Sequence, residues 1–174
     1  MMTCYTTRMT VADADWEHRA SALWAEIDRI DADDFVARVD ALVAELPRGS
    51  AIGLFERGAA CDSTGHPERA VPLYAAALDA GLAGERRRRA VIQMASSLRN
   101  LGQPQEALTL LTAEVAAVSD NLDGAVATFR ALALVDLGRE REAVAVALTA
   151  LATYLPRYNR SVARYAQQLI DDVP

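Results

Sequence analysis

The sequence predicts an all-α chain organised as a stack of antiparallel helical hairpins, and three observations carry that prediction. The stretch Gly65-His66-Pro67-Glu68-Arg69-Ala70 returns as Gly102-Gln103-Pro104-Gln105-Glu106-Ala107 and as Gly138-Arg139-Glu140-Arg141-Glu142-Ala143, with the glycines 37 and 36 residues apart. Apolar residues recur three or four apart through every long segment, and the breaks fall at Gly, Pro or Asp, which is the period of helices and the chemistry of their ends. Alanine and leucine dominate a hydrophobic content of 52% while aromatics supply only 6%, a balance that suits closely packed helices better than a sheet. A period in this range marks an internal repeat in which each hairpin buries its apolar face on its neighbours.

Composition narrows the function classes. With 174 residues the chain can fill one sizeable core, so a single domain over residues 13–174 is expected. A net charge of −6 would repel a phosphate backbone, which argues against a nucleic-acid partner. The two cysteines, Cys4 and Cys61, fit neither a disulfide framework nor a metal cage, and a reducing compartment is expected. No window reaches roughly eighteen uninterrupted apolar residues, and Met1 to Val11 lacks the basic and apolar regions of a secretory signal. The expected setting is the cytoplasm, with no membrane contact.

Taken in order, residues 1–12 show neither periodicity nor caps and read as a disordered tail. From Asp13, a stripe of Trp16, Ala20, Leu23, Trp24, Ile27 and Ile30 predicts one amphipathic helix, with Glu17, Arg19, Glu26 and Arg29 between. Asp31 to Asp34 offer N-caps for a second helix, striped by Phe35, Val39, Leu42, Val43 and Leu46 and closed by Pro47. This N-terminal pair, residues 13–47, lacks the glycine motif and reads as a degenerate first unit or a cap.

Three hairpins are expected over residues 51–155. The first pairs a helix at 51–64, with Leu54, Gly58 and Cys61 in one stripe, with a helix at 67–80 carrying Ala70, Tyr74, Ala77 and Leu78. Glycine inside a helix costs roughly 1 kcal/mol against alanine, so Gly58 implies close approach by a neighbour. After Gly81-Leu82-Ala83-Gly84, the second hairpin opens at Glu85 with four arginines, then a core stripe of Val91, Met94, Ala95 and Leu98. Pro104 opens its partner, lined by Ala107, Leu108, Leu111 and Val115, before Ser119-Asp120-Asn121 breaks the chain. The third pairs residues 122–137, with Ala127, Ala131 and Leu134 inward, with 140–154, carrying Ala143, Ala147, Leu148 and Leu151. After Pro156, a capping helix within 157–174, from about Asn159 to Asp171, carries Val162, Tyr165, Ala166, Leu169 and Ile170 on one side and Arg160, Arg164, Gln167 and Gln168 on the other.

These marks together resemble a tetratricopeptide repeat protein over residues 35–155, and the run from Glu85 to Leu111 (ERRRRAVIQMASSLRNLGQPQEALTLL) is most similar to tetratricopeptide repeat group 5. The family's small residue in the first helix is matched by Gly58, Ala95 and Ala131, its turn glycine by Gly65, Gly102 and Gly138, and its alanine in the second helix by Ala70, Ala107 and Ala143. Leu54, Val91 and Ala127 replace the family's early aromatic, and the later bulky position is Tyr74, Leu111 and then only Ala147, so the third repeat should pack less tightly. The repeats also exceed the usual length of about 34. The resemblance implies a right-handed superhelix that binds proteins or peptides in a concave groove and has no catalytic activity.

Read for chemistry, the residues give little else. His18 and His66 lack a second metal ligand at usable spacing, and Asp28, Asp31, Asp33 and Asp34 lack the glycine and closing glutamate of a calcium loop. No phosphate-binding, dinucleotide or nucleophile motif is present, so no cofactor, metal or catalytic residue is assigned. Cys61 on an inner stripe reads as a small hydrophobe. The run Arg86 to Arg89 sends its side chains around a helix roughly 100° apart, so at most two can serve one site; a solvated face and a binding surface are both open readings. In the binding reading the groove is lined by Ile52, Phe55, Ala59 and Asp62 in the first repeat, by Arg89, Ile92, Ser96, Arg99 and Asn100 in the second, and by Ala125, Thr128, Leu132 and Val135 in the third. That groove is apolar with a basic centre and suits an acidic or C-terminal peptide, as in an adaptor or regulatory subunit. The alternative is a self-associating structural protein, such as a homodimer, in which the helix bearing Trp16 and Trp24 fills its own or a neighbour's groove.

Overall fold

The computed structural model describes residues 12–117 and 119–171. The α-helices follow in the order α1 (Ala14–Trp24), α2 (Ala32–Val43), α3 (Ala51–Ser63), α4 (Pro67–Asp79), α5 (Gly84–Asn100), α6 (Pro104–Ala117), α7 (Asp123–Asp136), α8 (Glu140–Ala152) and α9 (Asn159–Asp171), and no strand occurs among the described residues. The expected tail lies outside those residues up to residue 11, while Ala12 is buried in the cluster that holds Trp16.

The repeated motif is a helix stop followed by a helix start. Gly65, Gly102 and Gly138 take φ of 84°, 76° and 70°, the left-handed conformation that glycine adopts without a Cβ penalty. Each turn is closed by the same bond: the amides of His66, Gln103 and Arg139 donate to the carbonyls of Cys61, Leu98 and Leu134 at 2.8, 2.9 and 2.9 Å. That six-to-one bond satisfies a carbonyl otherwise orphaned at the helix end. Pro67 and Pro104 then begin α4 and α6 where no amide is needed. At the other starts, the carboxylates of Asp13 and Asp31 accept from the amides of Trp16 and Asp33 at 2.8 and 2.9 Å.

Consecutive helices pack on each other, and the first helices of the hairpins also stack directly, α5 on α3 and α7 on α5. Small residues permit this closeness. Ala70, Ala95 and Ala107 are fully buried, and a Cβ on Gly58 would stand 2.9 Å from Tyr74 Cδ1, so the tyrosine ring occupies the space the glycine leaves. Phe55 and Tyr74, with ring centroids 6.1 Å apart, anchor the first hairpin's cluster.

Three expectations need correction. The single helix expected from Asp13 to Ile30 stops at Trp24, and a 3-10 turn at Ile27–Arg29 follows; the tighter turn keeps Ile27 and Ile30 on the cluster of Trp16 and Phe35. Val115, Ala147 and Leu151, expected inward, are exposed, because they sit on the side where no following helix lies. On α7 it is Val126 that is fully buried, with Ala127 only partly so.

Candidate functional site

Apart from Asn100, the face expected to bind can be followed position by position, since residues 52, 55, 59 and 62 recur in the repeat as 89, 92, 96 and 99 and again as 125, 128, 132 and 135. In the first repeat this face is closed. Phe55 and Ala59 are buried, Ile52 and Asp62 partly buried, and α5 lies over them: the Arg89 guanidinium stands 5.3 Å from the Phe55 ring centroid, and Ser97 Oγ donates to Asp62 Oδ1 at 2.7 Å. Burial pushes the Asp62 carboxyl above its ordinary range, with the Ser97 bond pulling the other way. Tyr74 is pushed up by the same burial and by the neighbouring Asp62 charge, and its hydroxyl makes no well-formed hydrogen bond.

The second repeat is closed by α7. Ile92 is buried in the cluster that contains Val126 and Ala133, Ser96 is partly buried, and Arg99 Nε donates to Asp136 Oδ2 at 2.6 Å. Asn100 is exposed at the end of α5. Phe55, Ala59 and Ile92 therefore belong to the core between repeats rather than to an open groove. The basic centre is likewise consumed, since Arg99 is paired and Arg89 caps an aromatic ring.

Nor is the arginine run a solvated face. Because successive side chains leave the helix in different directions, the run reaches several neighbours, Arg87 and Arg88 meeting at Glu114. Arg86 donates to Glu17 on α1 at 2.9 and 2.6 Å and to Glu56 on α3 at 3.1 Å, and Glu56 also accepts from Trp24 Nε1 at 2.7 Å. Arg87 holds Glu114 on α6 at 2.5 Å. Arg88 reaches Glu114 at 3.7 Å, Asp120 at 3.1 Å and Asp123 at 2.6 Å, with both Arg88 and Glu114 only 2% exposed. The run stitches α1, α3, α6 and α7 to α5. Trp16, whose Nε1 donates to the Leu42 carbonyl at 2.9 Å, and Trp24, 5.0 Å from the Phe35 ring centroid, are spent in the same way, docking α1 on its own chain.

In the third repeat the equivalent face is open. α9 packs along α8 rather than on α7, so nothing among the described residues takes the place that α5 takes on α3. Thr128 is exposed, Leu132 and Val135 are 40% and 49% exposed, and across from them Val144 and Leu151 of α8 are 48% and 49% exposed. Together with Ala125, Ala131, Ala143, Ala147, Ala150, Gly124 and Tyr154 they line a groove of about 530 Å³ that carries no ionisable group except the Tyr154 phenol. Tyr154 divides it from a second cavity of about 460 Å³, reaching Arg88, Asp120, Asp123 and Arg130. Gly124 admits the Tyr154 ring there, since a Cβ would lie 2.6 Å from the hydroxyl. Sequence reasoning found Ala125, Thr128, Leu132 and Val135 but missed Val144, Leu151 and Tyr154. The signal available for them was Ala147, a small residue where the earlier repeats place Tyr74 and Leu111.

No helix among the described residues is long and apolar enough to cross a membrane. A tetratrico peptide repeat family model matches residues 51–169, while no curated protein and no solved structure matches the chain. With repeated turn glycines, repeated small residues at the closest approaches and that match over more than half its length, the chain belongs to the tetratricopeptide repeat family, whose repeats form protein–protein interaction modules.

Proposed function

We propose that this protein is a non-catalytic adaptor or regulatory scaffold that binds a peptide or protein segment on the open face of its third repeat. One observation carries the reading: a groove with exposed Leu132, Val135, Val144 and Leu151, free of ionised groups, on a chain whose other repeats bury or partly bury the positions equivalent to Leu132, Val135 and Val144. Contiguous exposed apolar surface of this kind marks interaction sites on soluble proteins. Of the remaining proposed positions, Phe55, Ala59 and Ile92 lie in the core of the stack that presents this face.

The test is affinity purification of the tagged full chain beside Leu132→Glu, with circular dichroism to show that both are folded. A protein retained by the wild type and lost by the variant supports the reading; the same proteins on both would place binding elsewhere. A second reading, self-association, is favoured by the absence of fixed charge on the groove, which allows the face to meet its own copy without repulsion. Light scattering separates the two, because a dimer abolished by Leu132→Glu supports self-association. The version in which the tryptophan helix fills a groove lacks a free helix, since Trp16 is buried against α2 of its own chain.

A further inference from the structure

We propose that the cavity bordered by α5, α6, α7 and the end of α8 is a small-molecule site for a monocarboxylate with an apolar tail, its carboxylate held by Arg130 and its tail lying on Val115, Val126 and Ala127. The site is independent of the protein-binding reading above, because the cavity and the open groove share only Gly124, Ala150 and Tyr154.

Arg130 sets the charge of the ligand. It is half-buried on α7, and its Nε is closed off from solvent without a hydrogen bond among the described residues. A guanidinium does not deprotonate in proteins, and a buried donor left unpaired forfeits its hydration, so the position calls for an anionic acceptor. No described residue supplies one. Arg88, the other cation on the cavity wall, is held by Asp120 and Asp123 at 3.1 and 2.6 Å. Arg57, whose Nε likewise lacks an aligned hydrogen bond, still lies 2.7 Å from an Asp40 carboxylate oxygen, whereas Arg130 has no carboxylate in ion-pair reach among the described residues. Glu142 is held below the ordinary carboxylate range by Arg139 first and by the Arg130 charge last, but its two oxygens accept from Arg139 Nε and Nη2, each at 2.7 Å.

Size and polarity define the rest of the ligand. The volume of about 460 Å³ lies within the range of roughly 300–1,000 Å³ that small-molecule sites occupy. Val115, Val126, Ala127 and Ala150 give the wall an apolar stretch, and the Thr153 hydroxyl is already spent on the Ala150 carbonyl at 2.8 Å. The far end is acidic: Asp123 opens α7 seven residues before Arg130, roughly 10 Å along the helix axis, and with Asp120 it sets two carboxylates against the one charge of Arg88. A second negative charge on the ligand would be repelled there, which disfavours dicarboxylates and polyphosphates. A monocarboxylate whose chain spans about that 10 Å, such as octanoate, places its charge at Arg130 and brings only uncharged atoms toward the two aspartates.

Isothermal titration calorimetry of the full chain decides the matter, with octanoate, its dicarboxylate analogue suberate and octylammonium as probes at about 0.15 M salt. Octanoate should bind at least about tenfold more tightly than either of the others. Arg130→Gln, which removes the charge, should weaken octanoate at least about tenfold, and Arg130→Lys, which restores the charge without the planar fork, should recover part of that loss. If Arg130→Gln fails to fold by circular dichroism, Ala127→Phe replaces it, since a ring on that wall takes the place of the tail and should abolish binding. Octanoate that does not bind, or whose affinity is the same in Arg130→Gln and wild type, overturns the proposal. Suberate or octylammonium binding as tightly as octanoate overturns the monocarboxylate assignment. So does octanoate binding lost in folded Leu132→Glu, which would move the ligand into the groove.

Discussion

The face that α5 closes on the first repeat and α7 closes on the second is the face left open on the third, although all three descend from one repeated pattern. Where it is closed, the contact is made by small apolar residues and locked by charge: Arg99 with Asp136, Ser97 with Asp62, Arg88 with Asp123. Where it is open, the same positions are Thr128, Leu132 and Val135, with no ion pair among them. Desolvated charges add little net stability but penalise any arrangement that leaves one unpaired. The closed interfaces are thereby fixed in register, whereas the open one has apolar area without a built-in partner.

The sharpest way to break this comparison is to remove a carboxylate from the closed side. Glu114 is 2% exposed between Arg87 and Arg88. Glu114→Ala should cost about 1–3 kcal/mol, since it removes the buried carboxylate that Arg87 holds and one of the partners of Arg88. Leu132→Ala on the open side should stay within about 0.5 kcal/mol. Urea unfolding of the two variants compares them directly, and equal losses would mean that the two faces are not energetically distinct.

Much of the closed part was legible in the sequence, because glycine turns and inward alanines carry strong local signals and the helix limits differ from expectation by only a few residues at each end. The arginine run was not. Its partners Glu17, Glu56 and Glu114 lie 69, 30 and 27 residues away, and no periodicity encodes which carboxylate a guanidinium will find across a helix stack. Phe55, Ala59 and Ile92 were misread for a related reason: the side of a helix is readable from its sequence, but whether a neighbour covers that side depends on the rotation between repeats. The open face was half legible, in that Ala147 announced a loosely packed third repeat, but the placement of α9 on α8 was needed to expose Val144 and Leu151.

A comparable effect should separate the repeats at their alanines. Ala70 and Ala107 are fully buried where the helices of a hairpin cross, so Ala70→Leu and Ala107→Leu should each lose about 1–3 kcal/mol by overpacking. Ala147 stands at the repeat position of Tyr74 and Leu111 yet is exposed, and Ala147→Leu should change stability by less than about 0.5 kcal/mol. The same substitution thus reads the packing of closed and open repeats by one measurement, the urea midpoint. A destabilisation at Ala147 matching that at Ala107 would show that another element packs there in solution.

The smallest expected effect concerns position 62, which recurs as Arg99 and Val135: an acid under α5, a paired base under α7 and an open apolar residue. Burial under α5 raises the Asp62 carboxyl, so the folded chain holds that proton more tightly than the unfolded chain does. The sign follows by linkage. The contribution of Asp62 to stability is fully present below the ordinary carboxylate value and is lost as pH rises through the raised folded value. Asp62→Asn keeps an oxygen able to accept from Ser97 Oγ and removes the titration. Measured by urea unfolding from about pH 3 to about pH 7, the variant should gain stability relative to wild type as pH rises past the usual carboxylate range and then hold a constant difference. Val135→Ala, at the open equivalent, should show a difference from wild type that does not vary with pH. A flat difference for Asp62→Asn would mean that water reaches this carboxylate, and that α5 does not close the first repeat as tightly as α7 closes the second.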